Sequence, residues 1–132
     1  MIVLDASALV DVLLDQPERG WVLDQVAGEE IFAPAHQLPE VLSALARLAR
    51  AGVLSHVQQE EALEEALGLP QEHVVSTAAH LHRALALQDR LPVLDGLYVA
   101  LSEERGCALV TTDRRLGRAP TSCEVRAPDS RG

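Results

Sequence analysis

The first ten residues, Met1-Ile-Val-Leu-Asp-Ala-Ser-Ala-Leu-Val10, decide how the rest of the chain is understood. A short apolar run ends in an acid, Asp5, and Ser7 follows at a position where it can cap a helix. We therefore predict a buried strand over residues 2–5 and a helix from residue 7 to about residue 14. An acid at the mouth of an apolar strand is costly to leave unpaired, so Asp5 needs a partner or a function.

The same alternation of apolar runs and amphipathic segments continues along the chain. Ser55 and Thr77 are predicted helix caps, and Gly52 and Gly106 are predicted to end helices. Pro17 suits the first turn of a helix. Further strands are predicted at residues 30–33, 73–75, 107–110 and 123–125, and further helices at 17–26, 38–51, 55–67, 77–88 and 94–105.

Strands that alternate with helices indicate a single α/β domain, in which a parallel sheet is covered by helices on both faces. The predicted domain spans residues 1–126. The tail, residues 127–132, has no apolar anchor and is predicted to be frayed.

The composition excludes several classes of protein. The chain has 132 residues and a formal net charge of −9, and its 11 basic residues are all arginine. An acidic chain is a poor non-specific binder of nucleic acid, which does not count against a nuclease whose metal ions cancel charge at the active site. Without lysine, the chain offers neither a Walker A phosphate loop nor a Schiff-base enzyme.

The sequence shows no targeting signal and no pattern of cysteines or histidines that indicates a disulfide framework or a zinc site. No apolar run reaches the roughly 18–20 residues of a membrane span, and no secretory signal is visible, so we expect a cytoplasmic protein without membrane contact. Cys107 and Cys123 are too few for a disulfide framework and are predicted to be small buried hydrophobic residues. The five histidines show no zinc-ligand spacing.

Four acids stand at the boundaries of predicted elements. Asp5 and Asp113 follow apolar strands, and Glu40 and Asp95 begin apolar helical stretches shortly after a proline. Because ligands bind beyond the carboxyl ends of parallel strands, Asp5 and Asp113 indicate a site there. A single acid of this kind is more often a turn or capping residue, but four together make a shared site an equal alternative.

The cation that suits four such acids is Mg²⁺ or Mn²⁺, because both ions prefer carboxylate and water oxygens. The acids could hold one ion, or two ions about 3.5–4 Å apart, which would generate a hydroxide and stabilise phosphate charge. The predicted reaction is phosphodiester hydrolysis. We expect crowding to raise the pKa of at least one acid, and the helix dipole to keep Asp95 ionised.

Four segments resemble the motifs of the PIN domain family. The opening segment, with Asp5-Ala-Ser7, is similar to the family's first motif, and Pro39-Glu-Val-Leu-Ser-Ala-Leu45 is similar to the segment that carries its second acid. Leu94-Asp-Gly-Leu-Tyr-Val-Ala-Leu101 and Leu109-Val-Thr-Thr-Asp-Arg-Arg-Leu116 resemble the third and fourth motifs. The likeness covers about residues 1–118 in the right order and spacing, and the chain length fits the VapC-type toxin branch.

This resemblance implies a five-stranded parallel sheet of order 3-2-1-4-5. It also implies a Mg²⁺- or Mn²⁺-dependent ribonuclease that cleaves RNA and is silenced by a cognate VapB-type antitoxin. Asp5 and Asp95 would be direct metal ligands, and Asp113 would complete the metal site, on the same ion or on a second one. Glu40 would be a ligand through water or would orient the nucleophilic water. The polar residues that would support the acids are Ser7 and Thr111.

The chain departs from the family pattern at two places. Gly96 stands where an alanine is common after the third acid, which predicts a looser helix start. Leu94 stands where an aromatic residue is frequent, which predicts a different pocket wall. Neither departure removes an acid.

Other residues near the motifs have open roles. Arg47 lies on the same helical stripe as Glu40, so it could meet a phosphate, a partner's acid or solvent. Arg114 and Arg115 directly follow Asp113 and could contact phosphate. Asp11 is expected to be exposed and to lie outside the site. Tyr98 is expected either to line the pocket or to pack in the core.

Two of the predicted helices, 38–51 and 55–67, carry more apolar surface than one sheet face covers. We interpret the excess as an interface, which predicts a homodimer and an antitoxin segment bound across a helical groove.

Three alternatives compete with a toxin ribonuclease. A PIN-fold nuclease could process RNA outside a toxin pair, and a non-catalytic PIN-like module could only bind a partner. A phosphatase or a phosphoacceptor receiver domain could have a similar sheet. However, the phosphatase needs Asp-x-Asp where this chain has Asp5-Ala-Ser7, and both need a lysine that is absent.

Overall fold

The computed structural model describes residues 1–119 and 121–129. Within these residues the chain forms five strands and seven helices that alternate along most of its length. The strands are β1 (Ile2–Leu4), β2 (Ile31–Pro34), β3 (Glu72–Val74), β4 (Ala108–Val110) and β5 (Val125–Arg126). The helices are α1 (Ala6–Leu13), α2 (Arg19–Val26), α3 (Gln37–Arg50), α4 (His56–Gly68), α5 (Ala78–Ala86), α6 (Val93–Arg105) and α7 (Arg114–Gly117).

The strands form one parallel sheet in the order β3-β2-β1-β4-β5, which confirms the predicted α/β architecture and strand order. In the centre of the sheet Val3 pairs with Phe32 on one side and with Leu109 on the other. Leu4 pairs with Val110, so β1 and β4 end side by side. The acids that follow these two strands therefore emerge at the same edge of the sheet.

Helices cover both faces of the sheet because successive strand residues point to opposite sides. Ile2 and Leu4 pack with buried side chains of α1 to α4, including Leu9 and Leu45. Val3 points the other way and packs with α6 side chains such as Tyr98. Each face thus has its own hydrophobic core.

Local sequence signals fix several helix ends. Ser55 and Thr77 both form capping boxes, in which each side chain accepts a hydrogen bond from a backbone N–H of its helix. Gly106 ends α6 in the left-handed conformation, with a φ of 61°. Gly52, directly after the C-cap of α3, has a φ of 77°. These predictions are confirmed.

Two local predictions are wrong, and one helix was missed. Ser7 does not cap α1, because Asp5 is the N-cap residue and the Ser7 hydroxyl bonds to side chains instead. Pro17 lies before α2, which begins only at Arg19. The four-residue helix α7 was not predicted, because Leu116 is its single buried side chain and leaves no apolar periodicity to detect.

Gly96 lets two helices approach closely. A Cβ atom added to it would lie 3.1 Å from Ala84 Cα and 3.3 Å from Ala84 O, so α5 packs against α6 at this point. The helix α6 continues without a break through Gly96. The glycine therefore has a packing role that the expectation of a loose helix start did not include.

The end of the chain and the two cysteines complete the description. Within the predicted frayed tail, Ala127 is half-buried, Pro128 is buried and Asp129 is exposed, while residues 130–132 lie outside the described residues, so the fraying stays a prediction. Cys107 and Cys123 are half-buried and unbonded, and both pack against the second core. Among the described helices, none has the length and apolar character to cross a membrane.

Candidate active site

The four acids predicted from the sequence line one cleft at the carboxyl edge of the sheet. Its volume is about 500 Å³, and the remaining lining includes Ser7 and Arg47. The full set of lining residues is Asp5, Ala6, Ser7, Val10, Asp11, Glu40, Ser43, Ala44, Arg47, Leu94, Asp95 and Asp113. A larger cavity of about 650 Å³ lies around Cys107 and Cys123, before β4 and β5, and none of the four acids lines it.

Asp5 is the most deeply placed acid. It is only 5% exposed, and its Oδ2 accepts hydrogen bonds from Ser7 Oγ at 2.6 Å and from Thr111 Oγ1 at 2.7 Å. Burial raises the pKa of the Asp5 carboxyl, and the two hydroxyls oppose that effect. Both of these side-chain hydrogen bonds fall on Oδ2, and Asp5 lines the cleft.

The same two hydroxyls hold the connection between β4 and α7. Thr111 Oγ1 accepts a hydrogen bond from the Asp113 N–H at 3.0 Å, and Ser7 Oγ accepts one from the Thr112 N–H at 3.2 Å. Asp113 is the N-cap residue of α7, and its Oδ1 accepts from the Arg115 N–H at 2.9 Å. One network of hydrogen bonds thus fixes Asp5 relative to Asp113.

Glu40 lies in the first turn of α3, where the structure surrounds it with two aromatic rings. Tyr98, which is fully buried, donates a hydrogen bond from its hydroxyl to Glu40 Oε1 at 2.8 Å. His36 Nε2 lies 3.5 Å from the same oxygen. Burial raises the pKa of Glu40, the Tyr98 hydrogen bond opposes this, and the charge of Asp5 adds to it.

Asp95 lies in the first turn of α6, where the charges of the other three acids repel its carboxylate. Its pKa rises to about 6, first because of burial and then because of repulsion by Asp5, Asp113 and Glu40. The expectation that crowding raises the pKa of one acid is confirmed. A pKa of about 6 still leaves most of the Asp95 carboxyl ionised at pH 7, and the contribution of the helix dipole stays a prediction.

The arrangement supplies oxygen donors of the kind that Mg²⁺ and Mn²⁺ bind. The repulsion on Asp95 shows that the acids are close enough to interact, and a cation would relieve that repulsion. Over residues 1–119 and 121–129, no three His, Cys, Asp or Glu side chains already converge as a ligand set. The residues fit a divalent cation by chemistry and placement, with side-chain rotation required to close around it.

The three arginines considered from the sequence differ in their position relative to the acids. Arg47 lies two turns after Glu40 on α3 and lines the cleft. Arg114 does not line it, and its guanidinium lies 3.5 Å from Glu18. Arg115 Nε lies 3.8 Å from Asp113 Oδ1, so Arg115 is the residue of this pair that faces the acids.

Of two further residues near the acids, one was assigned wrongly from the sequence and one was missed. Asp11 was expected to be exposed, but it is half-buried, lines the cleft and bonds to the Thr112 side chain, while burial raises its pKa. The signal was present, because Asp11 lies one helical turn after Ser7 and so on the same face. His36 was not considered, although it lies one turn before Glu40.

Solved structures share this fold. The VapBC2 structure from Rickettsia felis, bound to a DNA fragment from its promoter, matches with a TM-score of 0.70, at 17% identity over 98% of this chain and 100% of that one. The structure of PAE2754 from Pyrobaculum aerophilum matches with a TM-score of 0.69, at 23% identity over 94% of this chain and 89% of that one. At such identities the likeness concerns the fold alone.

Sequence comparison identifies the family. Residues 2–121 match the PIN domain, and the chain belongs to the PIN domain family. Ribonuclease VapC3 of Mycobacterium tuberculosis is 43% identical over 120 residues, which are 89% of this chain and 86% of that protein. Ribonuclease VapC12 of the same organism is 35% identical over 119 residues, 90% of this chain and 92% of that protein. The family and the VapC branch predicted from the sequence are confirmed.

Proposed function

We propose that this protein is a metal-dependent endoribonuclease that acts as the toxin of a type II toxin–antitoxin pair. The observation that carries the proposal is the placement of Asp5, Glu40, Asp95 and Asp113 around one cleft, in a chain whose curated relatives are VapC ribonucleases. Hydrolysis of an RNA phosphodiester is the reaction that such a carboxylate set serves when it holds divalent cations.

The metal proposed for this cleft is Mg²⁺ or Mn²⁺. Asp5 and Asp95 would hold it directly, Asp113 would complete the site, and Glu40 would contribute through water. When bound, the cation supplies Lewis-acid activation of water and neutralises charge on the phosphate. An acidic chain needs this neutralisation, because its net charge of −9 otherwise repels RNA.

The protein's own residues would orient the reactants. The hydroxyls of Ser7 and Thr111 hold Asp5 and Asp113 in place. Because these acids are ordered beforehand, less conformational entropy is lost when the cation and the RNA bind. Glu40 has a raised pKa and lines the cleft, so it is suited to orient a water and to accept its proton. The proposed phosphate contact in the cleft is Arg47, whereas Arg114, the second candidate from the sequence, lies beside Glu18 and would meet phosphate only outside the cleft.

The activity is tested with purified protein and a structured RNA, in Mg²⁺, in Mn²⁺ and in EDTA. We expect cleavage with either ion and none in EDTA, and Asp5→Asn should be inactive. The matched control is Asp24→Asn, which removes an exposed carboxylate from α2 and should cleave like the wild type. Equal cleavage by Asp5→Asn would refute the assignment, and metal binding without cleavage would favour a non-catalytic binding module.

An apolar groove between α3 and α4 suits the antitoxin. It is lined by Leu38, Pro39, Leu42, Ser43, Ala46 and Leu63, and Leu42 is 48% exposed. Ser43 also lines the acid cleft, so a peptide segment in the groove would reach the active site. We propose that a VapB-type antitoxin binds here, and that both proteins act in the cytoplasm.

Co-purification with the antitoxin encoded beside the gene tests this surface. Leu42→Glu should abolish the complex and leave RNA cleavage intact. Leu23→Glu, which alters an exposed leucine on α2, should still form it. A complex that survives Leu42→Glu would place the antitoxin elsewhere.

The apolar surface of α3 and α4 also supports the proposed homodimer. Val53, which follows α3, and Val57 and Leu67 on α4 are exposed. Light scattering after gel filtration should give twice the monomer mass at tens of micromolar protein. A strictly monomeric species at that concentration contradicts the dimer.

A further inference from the structure

We propose that Tyr98 is a positioning residue that holds Glu40 by one carboxylate oxygen, and that His36 supports the same carboxylate. Tyr98 and His36 together are called the brace below. This inference rests on the proposed ribonuclease function and assigns a role to two residues outside the four acids. Neither Tyr98 nor His36 touches the substrate in this proposal. Both act through Glu40.

The Tyr98 hydrogen bond and the nearest approach of His36 fall on the same oxygen atom of Glu40. The Tyr98 hydroxyl donates to Glu40 Oε1 at 2.8 Å, and His36 Nε2 lies 3.5 Å from that oxygen. The His36 ring meets the Tyr98 ring edge-on, with centroids 4.9 Å apart and an interplanar angle of 69°. Because the Tyr98 ring is fully buried, its hydroxyl has little freedom to leave Glu40.

The brace also links the helices that carry two of the acids. Tyr98 is one turn after Asp95 on α6, and His36 is one turn before Glu40 at the start of α3. His36 Nε2 lies 3.2 Å from the carbonyl oxygen of Leu94, the residue before Asp95. The first turns of α3 and α6 are therefore joined twice, which sets the separation of Glu40 from Asp95.

A carboxylate held in this way works through its other oxygen. Both contacts fall on Glu40 Oε1, and Glu40 lines the cleft, so Oε2 is the oxygen directed to the reaction. One oriented oxygen suits the positioning of a water better than two-oxygen coordination of an ion. Loss of the Tyr98 hydroxyl would let the carboxylate rotate and would misalign that water.

Tyr98→Phe is the central test, because it keeps the buried ring and removes only the hydroxyl. We expect kcat for RNA cleavage to fall by about tenfold to a hundredfold, the usual effect of losing such a supporting contact. The KM for RNA should stay within about twofold, since Tyr98 does not reach the substrate. The matched control is Ser102→Ala, which removes a buried hydroxyl one turn later on α6 and should keep kcat.

A double-mutant comparison separates positioning from general structure. If Tyr98 acts through Glu40, adding Tyr98→Phe to Glu40→Gln should lower kcat no further. A multiplied loss in the double variant, or an unchanged kcat in Tyr98→Phe alone, would overturn the proposal. His36→Phe keeps the edge-on ring contact and should cause a smaller fall in kcat than Tyr98→Phe.

A spectroscopic measurement keeps this inference apart from the ribonuclease proposal. Tyr98 is the only tyrosine in the chain, so a near-ultraviolet difference spectrum between variant and wild type, in which the common absorption of Trp21 cancels, reports its hydrogen bond. Glu40→Gln should shift the tyrosine band, and Asp24→Asn should not. An unshifted band in Glu40→Gln shows that Tyr98 does not hold Glu40, whereas a wild type inert towards RNA refutes the ribonuclease proposal even if the band shifts.

Discussion

Gln37 donates a hydrogen bond from its Nε2 to the carbonyl oxygen of Leu4 at 3.0 Å, which fastens the start of α3 to the end of β1. Gln37 is fully buried and also exchanges hydrogen bonds with Gln71 at 2.8 and 3.0 Å. His73 Nε2 lies 2.9 Å from Gln37 Oε1. Leu4 directly precedes Asp5, so this buried amide helps to place Asp5 relative to Glu40.

Gln37→Leu should destabilise the protein strongly. The substitution keeps the side-chain volume but leaves the polar partners of Gln37 without hydrogen bonds in the interior, at a cost of about 2–4 kcal/mol in the free energy of unfolding. Urea unfolding measures the loss. Gln88→Leu alters an exposed glutamine and should change the free energy by less than about 0.5 kcal/mol. A loss below about 1 kcal/mol for Gln37→Leu would show that Gln37 is dispensable.

The metal-free protein should be more stable at pH 5 than at pH 7. The pKa of Asp95 is about 6 in the folded protein against 3.8 for the free group, so the folded state binds the proton more tightly. The stability that protonation contributes is present below the unfolded pKa and is lost as pH rises through 6. With allowance for solvent screening, we expect about 1–2 kcal/mol between pH 5 and pH 7.

Asp95→Asn provides the control for this pH dependence. Removing the charge removes the repulsion, so the melting temperature of the metal-free variant at pH 7 should equal or exceed that of the wild type. Asp24→Asn should behave like the wild type at both pH values. A large fall in the melting temperature of Asp95→Asn would indicate that the acids stabilise the fold rather than serve a site.

Mn²⁺ should raise the melting temperature at pH 7, because an ion that binds only the folded state stabilises it by about 2.7 kcal/mol at a hundredfold excess over Kd. The rise should shrink at pH 5, where protonated Asp95 competes with the ion. Thermal shift assays with and without EDTA measure both effects. If Asp5→Asn shows the full Mn²⁺ stabilisation, the ion binds outside the cleft.

Arg47 and Arg114 should differ in their effect on RNA binding. Arg47 lines the cleft, whereas the guanidinium of Arg114 lies near Glu18. We expect Arg47→Ala to raise the KM for RNA by about tenfold, the equivalent of about 1.4 kcal/mol, and Arg114→Ala to raise it less. Steady-state cleavage at a fixed salt concentration compares the two. A larger effect of Arg114→Ala would mean that the RNA runs over α7.

The parts of this fold that sequence could predict are the ones that local patterns determine. Apolar runs predicted the strands, and Ser55 and Thr77 predicted helix starts, since a cap bonds to its own helix. Ser7 failed as a cap because its hydroxyl serves Asp5 and Thr111, and Thr111 lies 104 residues away. A contact of that range leaves no trace in the local pattern.

The site residues also divide into those that local patterns predict and those that depend on packing. The motif contexts were enough to bring the four acids to one cleft. Asp5 and Asp113 follow neighbouring parallel strands whose carboxyl ends coincide, and Glu40 and Asp95 lie in the first turns of α3 and α6. Asp11, His36 and the Tyr98 hydroxyl bond depend on which helix faces turn inward after packing. Periodicity alone could place these residues on a face, but it could not say what that face would meet.

The close contact between Gly96 and Ala84 has a consequence for variation at these two positions. The third acid precedes Gly96, so its location depends on α5, a helix that contributes nothing to the cleft lining. A larger side chain at either position would push the two helices apart and move Asp95 with them. Residues 84 and 96 should therefore change together among homologous sequences, a gain in size at one being matched by a small residue at the other.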